Sequence, residues 1–417
     1  VNGWSAAAAT PDAYSAAAGP KPIPDDPFAA YRTVGTALAF AVMFAVAAEF
    51  LWNALTPTSR DFISFWGAAQ MALAGNPAGA YDLEALHALQ SSVAAFDDGK
   101  MPFPYPPAFL LVLLPFGLLS FPVGLALWSS ATFAVYLGIV RHACPGAGWL
   151  PAAFAPIFAT AAIGQNGFAT AAIFIGGLLM LGTRPFAAGL LLGCLAVKPQ
   201  LGLLLPVALI AARQWRAIAG ATIAPIGVLA VGLAVFGTAA TQAWIAQMPL
   251  YGAIARDGMV GWGKLASVYA ALRQLGTPLE VALALHVALA AAAAFVVWRV
   301  WRSDADAIAK AAVLAAATML ISPYLFLYDG VILTLPFLWL AASGERPMVL
   351  APLWLLPFVS VAQIGTASAT PNLLPLVPLG LTTLLWMRLR KKGSGESQAI
   401  AAPTVRSPAE VSAPNSR

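Results

Sequence analysis

Asp61 stands directly after a cation and directly before an apolar helical stripe, in Arg60-Asp61-Phe62-Ile63-Ser64-Phe65-Trp66. A carboxylate there can take the proton of a hydroxyl, the task of a general base. The amino-terminal dipole of the following helix and the neighbouring Arg60 both favour its ionised form. The same side chain could instead cap that helix, since Asp is a good N-cap. Lys198 in Lys198-Pro199-Gln200, Arg60, and the amides of Gln165 and Asn166 in Gly164-Gln165-Asn166-Gly167 are suited to an anionic group such as a phosphate. Lys198 could also snorkel from a helix end. Further polar groups stand in Phe103-Pro104-Tyr105-Pro106-Pro107, in Ser322-Pro323-Tyr324 and in Tyr328-Asp329. The proline run reads as a turn, and Tyr105, Tyr324 and Tyr328 would also fit an interfacial aromatic belt.

Other reactive side chains offer less. His87, His142 and His286 fall in a loop helix, a short loop and an apolar span, a separation that argues against zinc. His286 reads either as a substrate contact inside the helices or as an interhelical hydrogen bond. Cys144 and Cys194 lack the spacing of a disulfide framework or a metal site. No metal site is predicted and no cofactor is expected, although Asp61 and Asp329 are carboxylates enough for a divalent cation. Glu49, near the end of the first apolar run, reads either as facing a cavity or a partner or as protonated and buried.

The chain that must hold these groups is 60% hydrophobic and 9% charged, whereas a soluble domain has about a quarter of its residues charged. Apolar runs recur from Val34 to Met387, many of them near the roughly 20 residues that cross a hydrocarbon core. The expected fold is all-α, a polytopic transmembrane bundle of about 12 spans. The spans are 34–55, 122–141, 150–163, 165–182, 185–197, 200–212, 217–236, 279–301, 306–321, 328–342, 347–363 and 371–387. Residues 1–33 and 391–417 read as disordered cytoplasmic ends around a membrane domain at 34–390.

Basic clusters at every second boundary set the orientation. Of 22 Lys and Arg, sixteen fall inside and six outside, namely Arg60, Lys100, Lys198, Arg256, Lys264 and Arg273. Basic residues in short loops mark membrane topology and exclude nucleic acid as a partner. Segment 56–106, which holds Asp97 and Asp98, becomes the first outer loop. Two helical stripes within it, Phe62, Phe65, Trp66, Ala69, Leu73 and then Leu83, Leu86, Leu89, Val93, Phe96, predict amphipathic helices on the membrane surface. Gly75-Asn76-Pro77 separates them. Residues 107–119 predict a partial or interface-lying helix belonging to that loop. In this register all the polar motifs reach one face, which favours a shared external site.

The ordered set from Asp61 through Tyr105-Pro106-Pro107, Gly164-Gln165-Asn166 and Lys198-Pro199 to Ser322-Pro323-Tyr324 and Tyr328-Asp329 resembles glycosyltransferase family 87, over residues 30–390. That resemblance implies a GT-C-like bundle with juxtamembrane helices in the first outer loop. It also implies a polyprenyl-phosphate-linked hexosyl donor, mannosyl by default, a lipid or glycan acceptor, and Asp61 as the base of an inverting transfer. The active site would face the periplasm from a bacterial inner membrane. Arg60, Lys198, Gln165 and Asn166 would receive the donor phosphate. Tyr105, Trp66, Tyr324, Tyr328, Asp329 and His286, with Trp262, would meet the substrates. Two other classes compete. A secondary transporter should show repeat symmetry and midplane ionisable pairs or interrupted helices at matching positions, whereas no internal repeat is visible and the polar motifs cluster at one face; a lipid-linked-sugar flippase would not need the Asp61 arrangement.

Overall fold

The computed structural model describes residues 26–96, 99–259, 261–363 and 371–393. Most of the two expected disordered ends, and Asp97 with Asp98, lie outside these residues. The boundaries shift where they can be checked. Helix α1 (Ala29–Leu55) begins before residue 34, and the last helix runs on to Gly393.

The chain continues through α2 (Phe62–Leu73), α3 (Leu83–Ser91), α4 (Ala108–Gly117) and α5 (Phe121–Ala143). Next come α6 (Ala155–Ile163), α7 (Gly167–Met180), α8 (Pro185–Gly193), α9 (Leu205–Ala211) and α10 (Trp215–Arg256). The remainder is α11 (Val268–Gln274), α12 (Leu279–Trp301), α13 (Ala307–Thr318), α14 (Thr334–Ala342), α15 (Pro347–Gln363) and α16 (Leu376–Gly393). No strand occurs among the described residues beyond two isolated bridges.

Four of these helices are long and apolar enough to cross a membrane: α1, α5, α10 over residues 215–253, and α12. Their large side chains point outward, as Val34, Phe40, Phe44 and Leu51 do on α1, which suits a helix facing lipid. The count of about twelve spans is not established. Most other apolar helices have 10–17 residues, about 15–26 Å at 1.5 Å per residue against a core of about 30 Å. Several stop at buried polar breaks, which backbone at membrane depth tolerates only inside protein or beside a cavity.

The expected sidedness has a counterpart in the packing. Tyr31 Oη donates to Glu345 O at 2.5 Å, Arg388 pairs with Glu345 at 3.0 Å, and Arg32 donates to Gly146 O at 3.4 Å. The start of α1, the α5–α6 and α14–α15 connections and the end of α16 therefore meet at one end of the bundle, and the charge pattern puts all four on one side.

The first outer loop differs from its expected form. The first eight residues of α2 are all buried, so its stripe is one side of a helix covered all round rather than a helix lying on a surface. Trp66 Nε1 donates to Leu119 O at 2.9 Å and Gln70 Nε2 to Gly117 O at 2.7 Å, which fixes α4 beside it. Helix α3 keeps its amphipathic character, with Leu86 and Gln90 inside, and Asp82 caps it through Glu84 N and Ala85 N. Helix α4 is short, as expected.

Helices α3, α4 and α5 and the short turn Pro77–Tyr81 cover α2, and α10 covers the rest of the loop. Expected to end near residue 236, α10 kinks at Gly237 (φ 79°, ψ 176°) and continues to Arg256. This second half contains Thr241, Gln242 and Gln247 and lies against the loop. Trp244 Nε1 donates to Pro104 O, Gln247 Nε2 to Tyr81 O and Tyr251 Oη to Phe103 O, at 3.2, 2.6 and 2.8 Å.

Candidate active site

Asp61 follows a tethered strip of chain. Ser59 N donates to Ala95 O at 2.7 Å, Ala95 N to Pro57 O at 3.0 Å, and Asn53 Nδ2 to Thr58 O at 3.3 Å. The backbone of Asp61 is already helical (φ −54°, ψ −30°) and its side chain makes no capping bond. The capping alternative therefore does not hold. Oδ2 of Asp61 instead accepts from Gln165 Nε2 at 3.0 Å, a residue 104 positions away. Among the described residues no bond reaches Oδ1, and Asp61 remains partly exposed.

Gln165 is oriented from its other end. Its Oε1 accepts from Asn166 N at 3.1 Å and from Tyr105 Oη at 3.4 Å. A backbone N–H can only donate, so the oxygen must face it and the NH₂ must face Asp61. Burial, followed by the charges of Asp329 and Asp61, raises the pKa of the Tyr105 phenol, so the hydroxyl stays protonated. The ring of Tyr105 is occupied by Phe65, Phe103 and Phe109, with centroids 5.3, 5.6 and 4.9 Å away, and only its hydroxyl serves the site. Asn166 is fully buried beside that hydroxyl, and both polar atoms of its amide lack a well-formed hydrogen bond. A buried unpaired amide is costly, and a ligand or water would relieve it.

Two glycines make this junction fit. Gly164 ends α6 in the left-handed conformation (φ 69°), and a Cβ on it would stand 2.4 Å from Leu125 Cδ1 and 2.5 Å from Phe62 Cβ. On Gly167 a Cβ would stand 2.5 Å from Tyr328 O. The turn is thus wedged between the start of α2 and the Tyr328 segment.

Lys198 sits at a break flanked by short 3-10 turns at Cys194–Val197 and Pro199–Gly202. It does not snorkel. It is 7% exposed, its Nζ lies 2.5 Å from Asp329 Oδ1, and it stands 4.4 Å from the centroid of the Tyr328 ring. The opposite carboxylate oxygen of Asp329 accepts from Phe326 N at 2.9 Å. Phe326 stacks on Tyr328 with centroids 5.0 Å apart, so that ring is covered too. Arg60 is turned away from Asp61 and paired with Glu49, its Nε 2.8 Å from Glu49 Oε1.

Burial raises the pKa of Asp61 above its ordinary value, opposed by the Gln165 hydrogen bond and then by the charges of Lys264, Lys198 and Arg60. The Arg60 charge acts in the direction expected from the sequence, and burial outweighs it. The carboxyl is moved toward neutrality, where a base is more effective.

The structure thus brings together Asp61, Gln165, Asn166 and the Tyr105 hydroxyl, with the Lys198, Tyr328 and Asp329 cluster beside them. It does not bring Trp66, whose indole is spent on Leu119 O. His286 is buried in α12 with neither ring nitrogen in a well-formed bond, against the Ile321 backbone. Tyr324 and Trp262 stay partly exposed around Tyr269, at 6.0 and 5.8 Å. Lys264, read from the sequence only as a loop charge, joins the group. Among the described residues no three His, Cys, Asp or Glu side chains gather as a metal site.

An all-helical apolar bundle with a carboxylate, amides and a buried cation gathered at its helix breaks is the frame of a membrane enzyme. Residues 103–323, just over half of the chain, match the family model of glycosyltransferase family 87, and the chain belongs to that family. It is a membrane glycosyltransferase, acting between a sugar donor and an acceptor. The match takes in Tyr105, Gln165, Asn166, Lys198 and Lys264, and stops short of Asp61 and Asp329. No curated protein and no solved structure matches the chain.

Proposed function

We propose that this glycosyltransferase transfers a hexosyl residue, mannosyl foremost, from a polyprenyl-phosphate-linked donor to a lipid or glycan acceptor at the periplasmic face of a bacterial inner membrane. The reaction inverts the anomeric centre, with Asp61 as general base. The observation that carries this reading is Asp61 itself, which caps nothing, is held through Oδ2 by a distant glutamine, and keeps Oδ1 free.

In the proposed step Oδ1 takes the proton of the acceptor hydroxyl as its oxygen attacks the anomeric carbon from the face opposite the phosphate. The bond from that carbon to the phosphate oxygen breaks, and its electron pair leaves with the polyprenyl phosphate. A phosphate leaves without protonation, so no general acid is required. Gln165 holds the carboxylate, and Tyr105 holds Gln165. The unpaired amide of Asn166 binds a polar group of the substrate. The buried Lys198 contributes a positive field, and Tyr324 and Trp262, whose rings are not fully covered, offer faces to a sugar.

A lipid-linked donor makes the reaction independent of nucleotide sugars. Protein in vesicles supplied with polyprenyl-phosphate-mannose and an envelope lipid extract is expected to form labelled product with no GDP- or UDP-sugar present. Strict dependence on a nucleotide sugar would overturn the donor assignment. Reporter fusions after Arg216, Arg302 and Lys392 are expected to read cytoplasm, and fusions near Asp98 and Met259 the outside. An external reading at Arg216 with an internal one at Asp98 would place the site on the wrong side of the membrane.

A further inference from the structure

The donor in this reading carries an anionic phosphate, yet the two cations expected to receive it are already paired with carboxylates. Arg60 is paired with Glu49, and Lys198 with Asp329. Asp61 adds a negative charge of its own when ionised. A phosphate entering such a site would meet a net repulsive centre unless a further cation stood there.

Lys264 is that cation. It closes the short turn Trp262–Lys264, its side chain is exposed, and among the described residues no carboxylate pairs with it. The chain beyond it is fastened along the segment that carries Tyr328 and Asp329. Leu265 forms an antiparallel bridge with Phe326, Ala266 N donates to Leu325 O at 2.7 Å, and Ser267 Oγ donates to Pro323 O at 2.7 Å. The Asn372 amide holds the turn from its other side, donating to Trp262 O and Leu265 O at 3.0 and 2.7 Å. Lys264 is thus delivered to the edge of the Lys198, Tyr328 and Asp329 cluster on a clamped backbone, while its flexible side chain remains free to move. Its charge also acts on Asp61 more strongly than those of Lys198 and Arg60, after burial and the Gln165 bond.

Resting on the reading of the site as a lipid-phosphate-sugar transferase, we infer that Lys264 binds the phosphate of the donor and of the departing polyprenyl phosphate. The buried Lys198 and Asp329 form the fixed floor, and Lys264 is the mobile contact that neutralises the incoming charge. A compact ammonium on a flexible stem suits a group that must be received and then released.

The test compares wild type, Lys264→Ala and Lys264→Arg in reconstituted protein. It measures donor KM, and inhibition by a short-chain polyprenyl phosphate and by the matching uncharged polyprenol. Lys264→Ala is expected to raise donor KM and the inhibition constant of the phosphate by about ten- to a hundredfold, as for loss of a charged hydrogen bond. The polyprenol should inhibit all three proteins alike, and Lys264→Arg should keep most of the phosphate affinity. An unchanged phosphate inhibition constant in Lys264→Ala, while wild type turns over the lipid-linked donor, would overturn the inference and leave the functional reading standing. No turnover of that donor by wild type overturns the reading beneath it, and the inference with it.

Discussion

Asp61→Asn is expected to lower turnover of purified, reconstituted protein by about 10²–10⁴-fold, the usual contribution of a general base. Expression and donor affinity should stay near those of wild type. The substitution keeps the size of the side chain, and its amide oxygen can still accept from Gln165 Nε2. No cap is lost, because Asp61 makes none. What disappears is the proton acceptor. Because burial raises the carboxyl above its ordinary value, the acid limb of kcat/KM should lie above the usual aspartate pKa of about 3.9. Activity falls as pH drops through that limb, since protonation removes the base. Gln165→Ala withdraws the largest influence holding the pKa down and should move the limb upward. A fully active Asp61→Asn protein would overturn the assignment and make Asp329 the next carboxylate to test.

Removing Lys198 should have the other large effect, on stability first. Lys198 and Asp329 are 8% and 0% exposed in their side chains. Lys198→Met leaves a buried carboxylate without its counter-ion, and breaking such a pair costs about 3–5 kcal/mol. The expected result is a clear fall in the melting temperature of detergent-solubilised protein, measured on the folded fraction by size-exclusion. Lys198→Met combined with Asp329→Leu removes both charges and should recover most of the lost stability, because a buried pair and an apolar replacement are often close in energy. Activity should not return, since the cation near Asp61 and the Asp329 bond to Phe326 N are both gone. A Lys198→Met protein that melts like wild type would mean that the pair carries no weight in the fold.

The ordered polar motifs were legible because helix breaks and ionisable groups are rare in an apolar chain and stand out against it. Their partners were not. Lys198 finds Asp329 across 131 positions and Arg60 finds Glu49 on the preceding helix, and no local pattern encodes such pairings. Charge counting treated every external cation alike, which hid the difference between Lys198, sealed inside, and Lys264, left free. The reach of α10 past Gly237 was missed because the residues beyond are too polar for a span. The aromatic residues misled for a related reason. Trp66, Tyr105 and Tyr328 have the composition of sugar platforms, but their rings are spent on packing, which only the surrounding chain decides.

The two glycines of the Gly164–Gly167 turn act as a gauge block. Leu125 and Phe62 press where a side chain on Gly164 would begin, and Tyr328 O presses where one on Gly167 would begin. The gap between Asp61 on one side of the turn and the Lys198–Asp329 pair on the other is therefore set by two missing methyl groups. An engineer who wished to admit a bulkier sugar would find that this dimension cannot be widened a little at a time. The smallest available step is a whole carbon, and it shifts Asp61 and the Lys198–Asp329 pair together.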